Sequence, residues 1–153
     1  MLTFVEYFAG IGLMRVGLER AGWQCLWSND ISPKKFAMYP AYFADTHETY
    51  CVEDVFNVDP DSIPLAVLAT ASFPCVDLSL AGKLSGIHGA DSGAFWGFTR
   101  ILASQRRKPQ VLLLENVLGW LTSNRGADFR VTIDTLNQLG YACDVMVVNA
   151  AHF

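Results

Sequence analysis

Short, almost continuously apolar runs alternate along the chain with stretches whose apolar positions recur every three to four residues. Residues 3–8 form the first run, and Gly10 and Gly12 follow it. Leu13, Val16, Leu18 and Ala21 then repeat at helical spacing until Gly22. Residues 24–28 predict a second strand, stopped by Asn29-Asp30. Ser32-Pro33 reads as an N-cap with proline in the first helical position, opening a helix to about residue 43. Residues 50–52 predict a third, weak strand ending at Glu53-Asp54, and residues 59–64 are a turn-rich connector. Residues 66–71 predict a buried strand, and residues 72–93 form a long glycine-rich connection without periodicity. A helix is predicted from 94 to about 107 with Pro109 after it, and a fully apolar strand over 110–114. A helix over 128–139, ended by Gly140, and a last strand over 143–148 complete the pattern. The order β-α-β-α-β-β-α-β-α-β with near-continuous apolar strands predicts an α/β fold: a mostly parallel sheet covered on both faces.

Length and composition narrow this picture. At 153 residues the chain predicts one domain. It is 52% hydrophobic and 17% charged, which argues for a compact, well-buried globule and against disorder. Its longest apolar runs are too short to span a membrane, and no basic, apolar leader opens the chain, so the expectation is a cytoplasmic protein. A net charge of −4 gives no sign of nucleic-acid binding by itself. Four cysteines, Cys25, Cys51, Cys75 and Cys143, show neither a compact disulfide framework nor metal-ligand spacing. Cys25 and Cys143, and with them Cys51, read as small core residues in strand-like stretches. Cys75 differs, because it follows Pro74 in a loop after an apolar run, where a cysteine is a candidate nucleophile.

The candidate chemistry gathers at strand ends. Phe8-Ala9-Gly10-Ile11-Gly12 lies between the first strand and the first helix, where glycines let a ligand approach the backbone and the helix offers free N–H groups. Arg15 stands where a dinucleotide fingerprint needs its third glycine, which weakens a nicotinamide or flavin reading. Asp30 ends the second strand, where a carboxylate can accept both ribose hydroxyls, and Asp54 ends the third, within reach of an adenine amino group. Taken singly, these are an ordinary turn and two solvated strand ends. Together, at successive strand ends, they argue for an adenosine-type ligand. Residues 72–79, with Pro74, Cys75 and Ser79, follow the fourth strand, and Glu115-Asn116-Val117 follows the fifth. A thiolate and a carboxyl group on one rim suit covalent attack on an electrophilic ring with proton help from the acid. Glu115, straight after Val111-Leu112-Leu113-Leu114, is expected to be part-buried and so usable as a proton donor.

The ordered set Phe8-Ala9-Gly10-Ile11-Gly12, Phe73-Pro74-Cys75 with Ser79, and Glu115-Asn116-Val117 resembles the DNA (cytosine-5)-methyltransferases over essentially the whole chain. Asn149-Ala150-Ala151-His152-Phe153 resembles that family's next block. The resemblance implies a Rossmann-like S-adenosylmethionine-dependent methyltransferase fold, three-layer α/β/α and incomplete at the C-terminus. It implies S-adenosylmethionine as cofactor and S-adenosylhomocysteine as product. Phe8 would pack on the cofactor and residues Ala9, Gly10, Ile11 and Gly12 would line its methionine part. Asp30 would hold the ribose, Ile31 the adenine face, and Asp54 and Val55 the adenine edge, with Pro74 and Phe95 completing the set. Cys75 would attack C6 of a cytosine flipped out of double-stranded DNA. Glu115 would engage N3 and the amino group, Pro74 would shape the cysteine turn and Asn116 would brace the loops. Ser79 and residues 82–93 would form a loop closing on DNA.

The chain departs from the family pattern at Leu13, where a further glycine is usual, and at Ile31, where an aromatic residue is common. It departs again at Val76, where Gln is frequent, and at Ser92-Gly93-Ala94-Phe95, where many members have Arg-Gly before an apolar pair. The family's arginine-bearing block and its target-recognition domain are expected to be absent from residues 1–153. They would then come from a second chain or a missing C-terminal segment, in a split or truncated enzyme, and an exposed sheet edge would favour a partner or a homo-oligomer. The alternatives are an inactive cofactor-binding scaffold and a tRNA cytosine methyltransferase. The resemblance places the protein in a bacterial or phage cytosol, in a restriction-modification system, with no membrane partner and no metal.

Overall fold

The computed structural model describes residues 1–74, 93–149 and 151. Its elements are β1 (Thr3–Tyr7), α1 (Leu13–Arg20), β2 (Gln24–Asp30), α2 (Pro33–Met38), α3 (Thr46–Thr49), β3 (Tyr50–Val52), β4 (Leu68–Ala71), α4 (Ala94–Ser104), β5 (Val111–Leu114), α5 (Gly119–Thr122) and α6 (Ala127–Gln138). Short 3-10 turns cover Tyr39–Ala41, Pro60–Ser62 and Ser123–Gly126. The five strands form one parallel sheet in the order β3-β2-β1-β4-β5. Every strand therefore ends on the same rim. The chain winds from β1 outward to β3, then returns to the other side of β1, so the topological switch lies between β1 and β4.

Alternation along β1 sorts the two faces. Phe4 packs with Cys25, Leu68, Leu18 and Trp23 on the face covered by α1. Val5 and Tyr7 point the other way, into the larger core with Trp27, Phe73, Phe95, Phe98, Ile101 and Leu102, joined by Trp120 of α5 and Leu136 of α6. Helices on both faces give the three-layer α/β/α arrangement. Tyr7 anchors this core edge-to-face, with ring centroids 5.1 Å from Trp27 and 4.9 Å from Phe98.

The connection from β2 to β3 is more broken than periodicity suggests. Ser32 caps α2 through its Oγ, which accepts from Lys35 N–H at 3.4 Å, as the Ser-Pro pair indicates. The helix then ends at Met38, because Pro40 cannot donate its N–H and the chain tightens into a 3-10 turn. The short α3 that follows has no sequence signal of its own. Its place is held by Arg15 of α1, whose guanidinium donates to both carboxylate oxygens of Asp45 (2.7 and 2.8 Å), to Glu19 Oε1 (2.7 Å) and to Thr49 Oγ1 (3.3 Å). The same group lies 4.1 Å from the Phe43 ring centroid.

The expected strand over 143–148 is not formed. Residues 141–149 carry no ladder hydrogen bonds, and Val145, Met146, Val147 and Val148 are all exposed. Tyr141 OH donates to Pro109 O at 2.8 Å and fixes the start of the segment. Beyond it the chain stands off the β5 edge, leaving an apolar space of about 700 Å³ between residues 142–148, β5 and the Phe129, Ile133 and Leu136 side of α6. Without a backbone partner an apolar run is not a strand. Cys143, expected in the core, is exposed for the same reason, whereas Cys25 is buried and Cys51 half-buried. No helix among the described residues is long and apolar enough to cross a membrane.

Candidate functional site

The glycine turn after β1 is wound tightly. Phe8, Gly10 and Gly12 all take positive φ (57°, 59° and 84°). At Gly12 the conformation and the space both require glycine, since an added Cβ would fall 2.5 Å from Phe43 Cε2 and 2.8 Å from Tyr39 Cε2. The turn is tied down on both sides. Ala9 N–H donates to Asn29 O at 2.8 Å, and Tyr50 OH donates to Gly10 O at 3.0 Å.

Asp30, at the end of β2, is the hub of the site. Its Oδ2 accepts from Gly10 N–H at 3.0 Å and from Lys35 Nζ at 2.9 Å, and its Oδ1 accepts from Ser32 N–H at 3.0 Å. The carboxylate is buried, with a side-chain exposure of 4%. Asn29 beside it donates to Cys51 O and Glu53 O, which locks the ends of β2 and β3 together. Past β3, Glu53 Oε1 accepts from Asp54 N–H (2.9 Å), and Asp54 Oδ1 accepts from Phe56 N–H (2.9 Å).

These groups wall a cavity of about 240 Å³ at the rim of the sheet. Of the residues singled out from the sequence, Phe8, Asp30, Ile31, Asp54, Val55 and Pro74 line it. Asn29, Lys35, Glu53, Phe56, Ser72 and Ala94 line it as well and were not singled out. Lys35 could have been found from its place in the first turn of a capped helix five residues after Asp30; Asn29 and Glu53 could have been found as direct neighbours of the two acids. Ala9, Gly10, Ile11 and Gly12 belong to the supporting turn and not to the cavity wall. Phe95 does not line this cavity: it is 1% exposed and packs in the core against Phe73, at 5.4 Å between ring centroids, behind the wall. Chemically, a buried carboxylate flanked by apolar Ile31, Val55, Phe8 and Pro74 accepts hydroxyl groups beside a slot for a flat ring.

The second part of the rim joins the loops after β4 and β5. Asn116 Nδ2 donates to Phe73 O at 3.0 Å, and its Oδ1 accepts from Val117 N–H at 2.9 Å, so one side chain fastens the two loops together. Glu115 N–H continues the ladder to Ala71 O at 3.1 Å. Its side chain is exposed, not part-buried as its apolar run suggested. Glu115 shares the parity of Val111 and Leu113, which are 50% and 43% exposed on the open face of the edge strand. Cys75, Val76, Ser79 and residues 82–92 lie outside the described residues, as do Ala150, His152 and Phe153.

The family model for the C-5 cytosine-specific DNA methylases matches residues 2–153. The chain belongs to this family. Among curated relatives of this DNA methylase chain, it is 34% identical to the Type II methyltransferase M.BsuFI of Bacillus subtilis, over 99% of this chain and 36% of that protein. It is 30% identical to M.HhaI of Haemophilus parahaemolyticus, over 99% of this chain and 45% of that protein. The chain thus spans less than half the length of these relatives. Among solved structures, Dnmt2 of S. pombe superposes with a TM-score of 0.63 at 21% identity, over 88% of this chain and 39% of that one. A DNMT2 variant of Spodoptera frugiperda superposes with a TM-score of 0.68 at 21% identity, over 91% and 41%. The fold is therefore that of the S-adenosylmethionine-dependent methyltransferases, and a methyl donor follows from family membership.

Proposed function

We propose that the chain is the cofactor-binding and catalytic part of a DNA cytosine-C5 methyltransferase with S-adenosylmethionine as its methyl donor. The observation that carries this reading is the cavity at the switch between β1 and β4: Phe8, Asp30, Ile31, Asp54 and Val55, from three strand ends, meet there beside Pro74, the residue that precedes Cys75. The donor set fits an adenosine, with a buried carboxylate for ribose hydroxyls, apolar flanks for the ring and the Glu53–Asp54 backbone and carboxylates at its edge. Bound there, S-adenosylmethionine would supply an electrophilic methyl group.

The protein's own residues would do the rest. Cys75 adds its sulfur to C6 of a flipped cytosine, and the C5–C6 electron pair becomes available at C5. Glu115, hydrogen-bonded at N3 and the amino group, stabilises the charge that builds on the ring. After C5 is methylated, a base takes the C5 proton, the sulfur–C6 bond breaks and the double bond returns. Asn116 holds the Glu115 loop against the Phe73–Pro74 loop, which supports Glu115 acting beside the segment that leads into Cys75. Target recognition would come from residues beyond these 153, on a following segment or a second chain. The open β5 edge and residues 141–149 would be the surface it joins, and the alternative occupant is a second copy of this chain. The setting would be a bacterial or phage cytosol.

Trapping with a duplex containing 5-fluorocytosine and S-adenosylmethionine tests the nucleophile. With the recognition polypeptide added, the expected result is a covalent adduct that disappears in Cys75→Ser. An adduct that persists in Cys75→Ser overturns the assignment. Robust tritiated methyl transfer by the chain alone overturns the need for an added recognition part.

A further inference from the structure

The contacts of Asp30 are unusually complete for a group meant to receive a ligand. A carboxylate offers about four lone-pair positions. Gly10 N–H and Lys35 Nζ occupy both positions on Oδ2, and Ser32 N–H occupies one on Oδ1. A ribose presents two adjacent hydroxyls, so holding both on one carboxylate takes two positions, and one is open. Gly10 N–H and Ser32 N–H are backbone donors fixed by the glycine turn and the α2 cap, so neither can leave without unwinding local structure. Lys35 is different: its side chain is 48% exposed, sits at the end of a flexible stem and lines the cavity with Asp30.

We infer that Lys35 is a counter-ion latch on the cradle, occupying the second ribose position on Asp30 until an adenosyl ligand displaces it. The inference rests on the reading of this cavity as the cofactor site. While the cavity is empty, Lys35 compensates a carboxylate that would otherwise be buried with backbone donors alone. When a ribose diol binds, the ammonium moves to solvent, which the 48% exposure of its side chain makes accessible. The lysine thus lowers affinity by the strength of one part-exposed ion pair. It also makes the second hydroxyl less rewarding than it would be on an unlatched carboxylate.

The test uses the 153-residue chain, isothermal titration with adenosine, 2′-deoxyadenosine and S-adenosylhomocysteine, and the variants Lys35→Met and Asp30→Asn. Lys35→Met preserves stem length and leaves the Lys35 backbone N–H on Ser32 Oγ undisturbed. The expected result is about two- to fivefold tighter adenosine binding in Lys35→Met, the size of a part-exposed ion pair. The gain should shrink for 2′-deoxyadenosine, which needs only the open position. Raising salt should tighten adenosine binding to the parent chain and leave Lys35→Met flat, because adenosine is uncharged and only the latch is screened. A lysine of merely structural importance would not improve binding or separate ribose from deoxyribose. Equal or weaker adenosine binding in Lys35→Met, with Asp30→Asn losing about tenfold or more, overturns the latch and leaves the cofactor reading standing. Adenosine and S-adenosylhomocysteine binding that survives Asp30→Asn, or that cannot be saturated in the parent chain, overturns the cofactor reading and the latch together.

Discussion

The two edges of the sheet solve opposite problems. On the β2–β3 side, polar groups are buried and nearly every one is paired: Arg15 reaches Glu19, Asp45 and Thr49, Ser28 meets Tyr39, and Asn29 spans to two carbonyls. On the β5 side the groups are apolar and left open. Val111, Leu113, Val145, Met146, Val147 and Val148 face solvent or the 700 Å³ space between them. On the first edge unpaired donors in a low-dielectric setting would be expensive, so each contact forces the next. The other has no such constraint, because apolar surface specifies no single geometry. The rim cavity around Asp30 sits towards the first edge, where preorganisation matters. The second exposes a continuous apolar surface among the described residues.

Substitutions can break or sharpen this contrast. The largest effect is expected from Arg15→Ala, which leaves Asp45 and Glu19 without their partner and removes the cation over Phe43. Urea unfolding should show a loss of about 3–5 kcal/mol. Gly12→Ala should follow at about 2–4 kcal/mol, since it combines a positive φ with overpacking against Phe43 and Tyr39, and it should also weaken cofactor binding in the same titration.

Glu6 gives the third test. It is 3% exposed on β1, its Oε2 has no hydrogen-bond partner among the described residues, and burial pushes its pKa up to about 8 against a pull from Arg15. Below about 4.5 the carboxyl is neutral both folded and unfolded. From there to about 8 only the unfolded chain ionises, so Glu6 makes stability fall as pH rises, and the fall levels off above about 8. Glu6→Gln removes that slope and should be the more stable protein at high pH by about 1–3 kcal/mol, seen in denaturation curves across pH. The smallest effect belongs to the open edge. Met146→Ser should change stability by less than about 0.5 kcal/mol. A larger loss would show that residues 141–149 are packed after all and would erase the contrast.

Much of the fold was readable because parallel strands buried on both faces leave uninterrupted apolar runs. β1, β2, β3, β4 and β5 all fall within a residue or two of their predicted spans. Asp30 and Asp54 were readable because a parallel sheet puts every strand end on one rim. What escaped depends on partners far away in sequence. Arg15 looks like a helix-surface cation beside Glu19, and nothing local announces Asp45 thirty residues on. The exposure of Glu115 and Cys143 and the unpaired run 143–148 share one cause. Local apolarity predicts burial only when something exists to be buried against, and at β5 the described residues provide little.

Phe8 carries a lesson of a different kind. Among the residues of the glycine turn it alone has a side chain at positive φ, a conformation that costs an L-residue about 1–2 kcal/mol. Glycine escapes that cost and asparagine or aspartate reduce it, but none of them has a ring to border the cavity. Phe8 packs against the large core and also borders the cavity, so the strained turn is held from one side and presents part of a ring on the other.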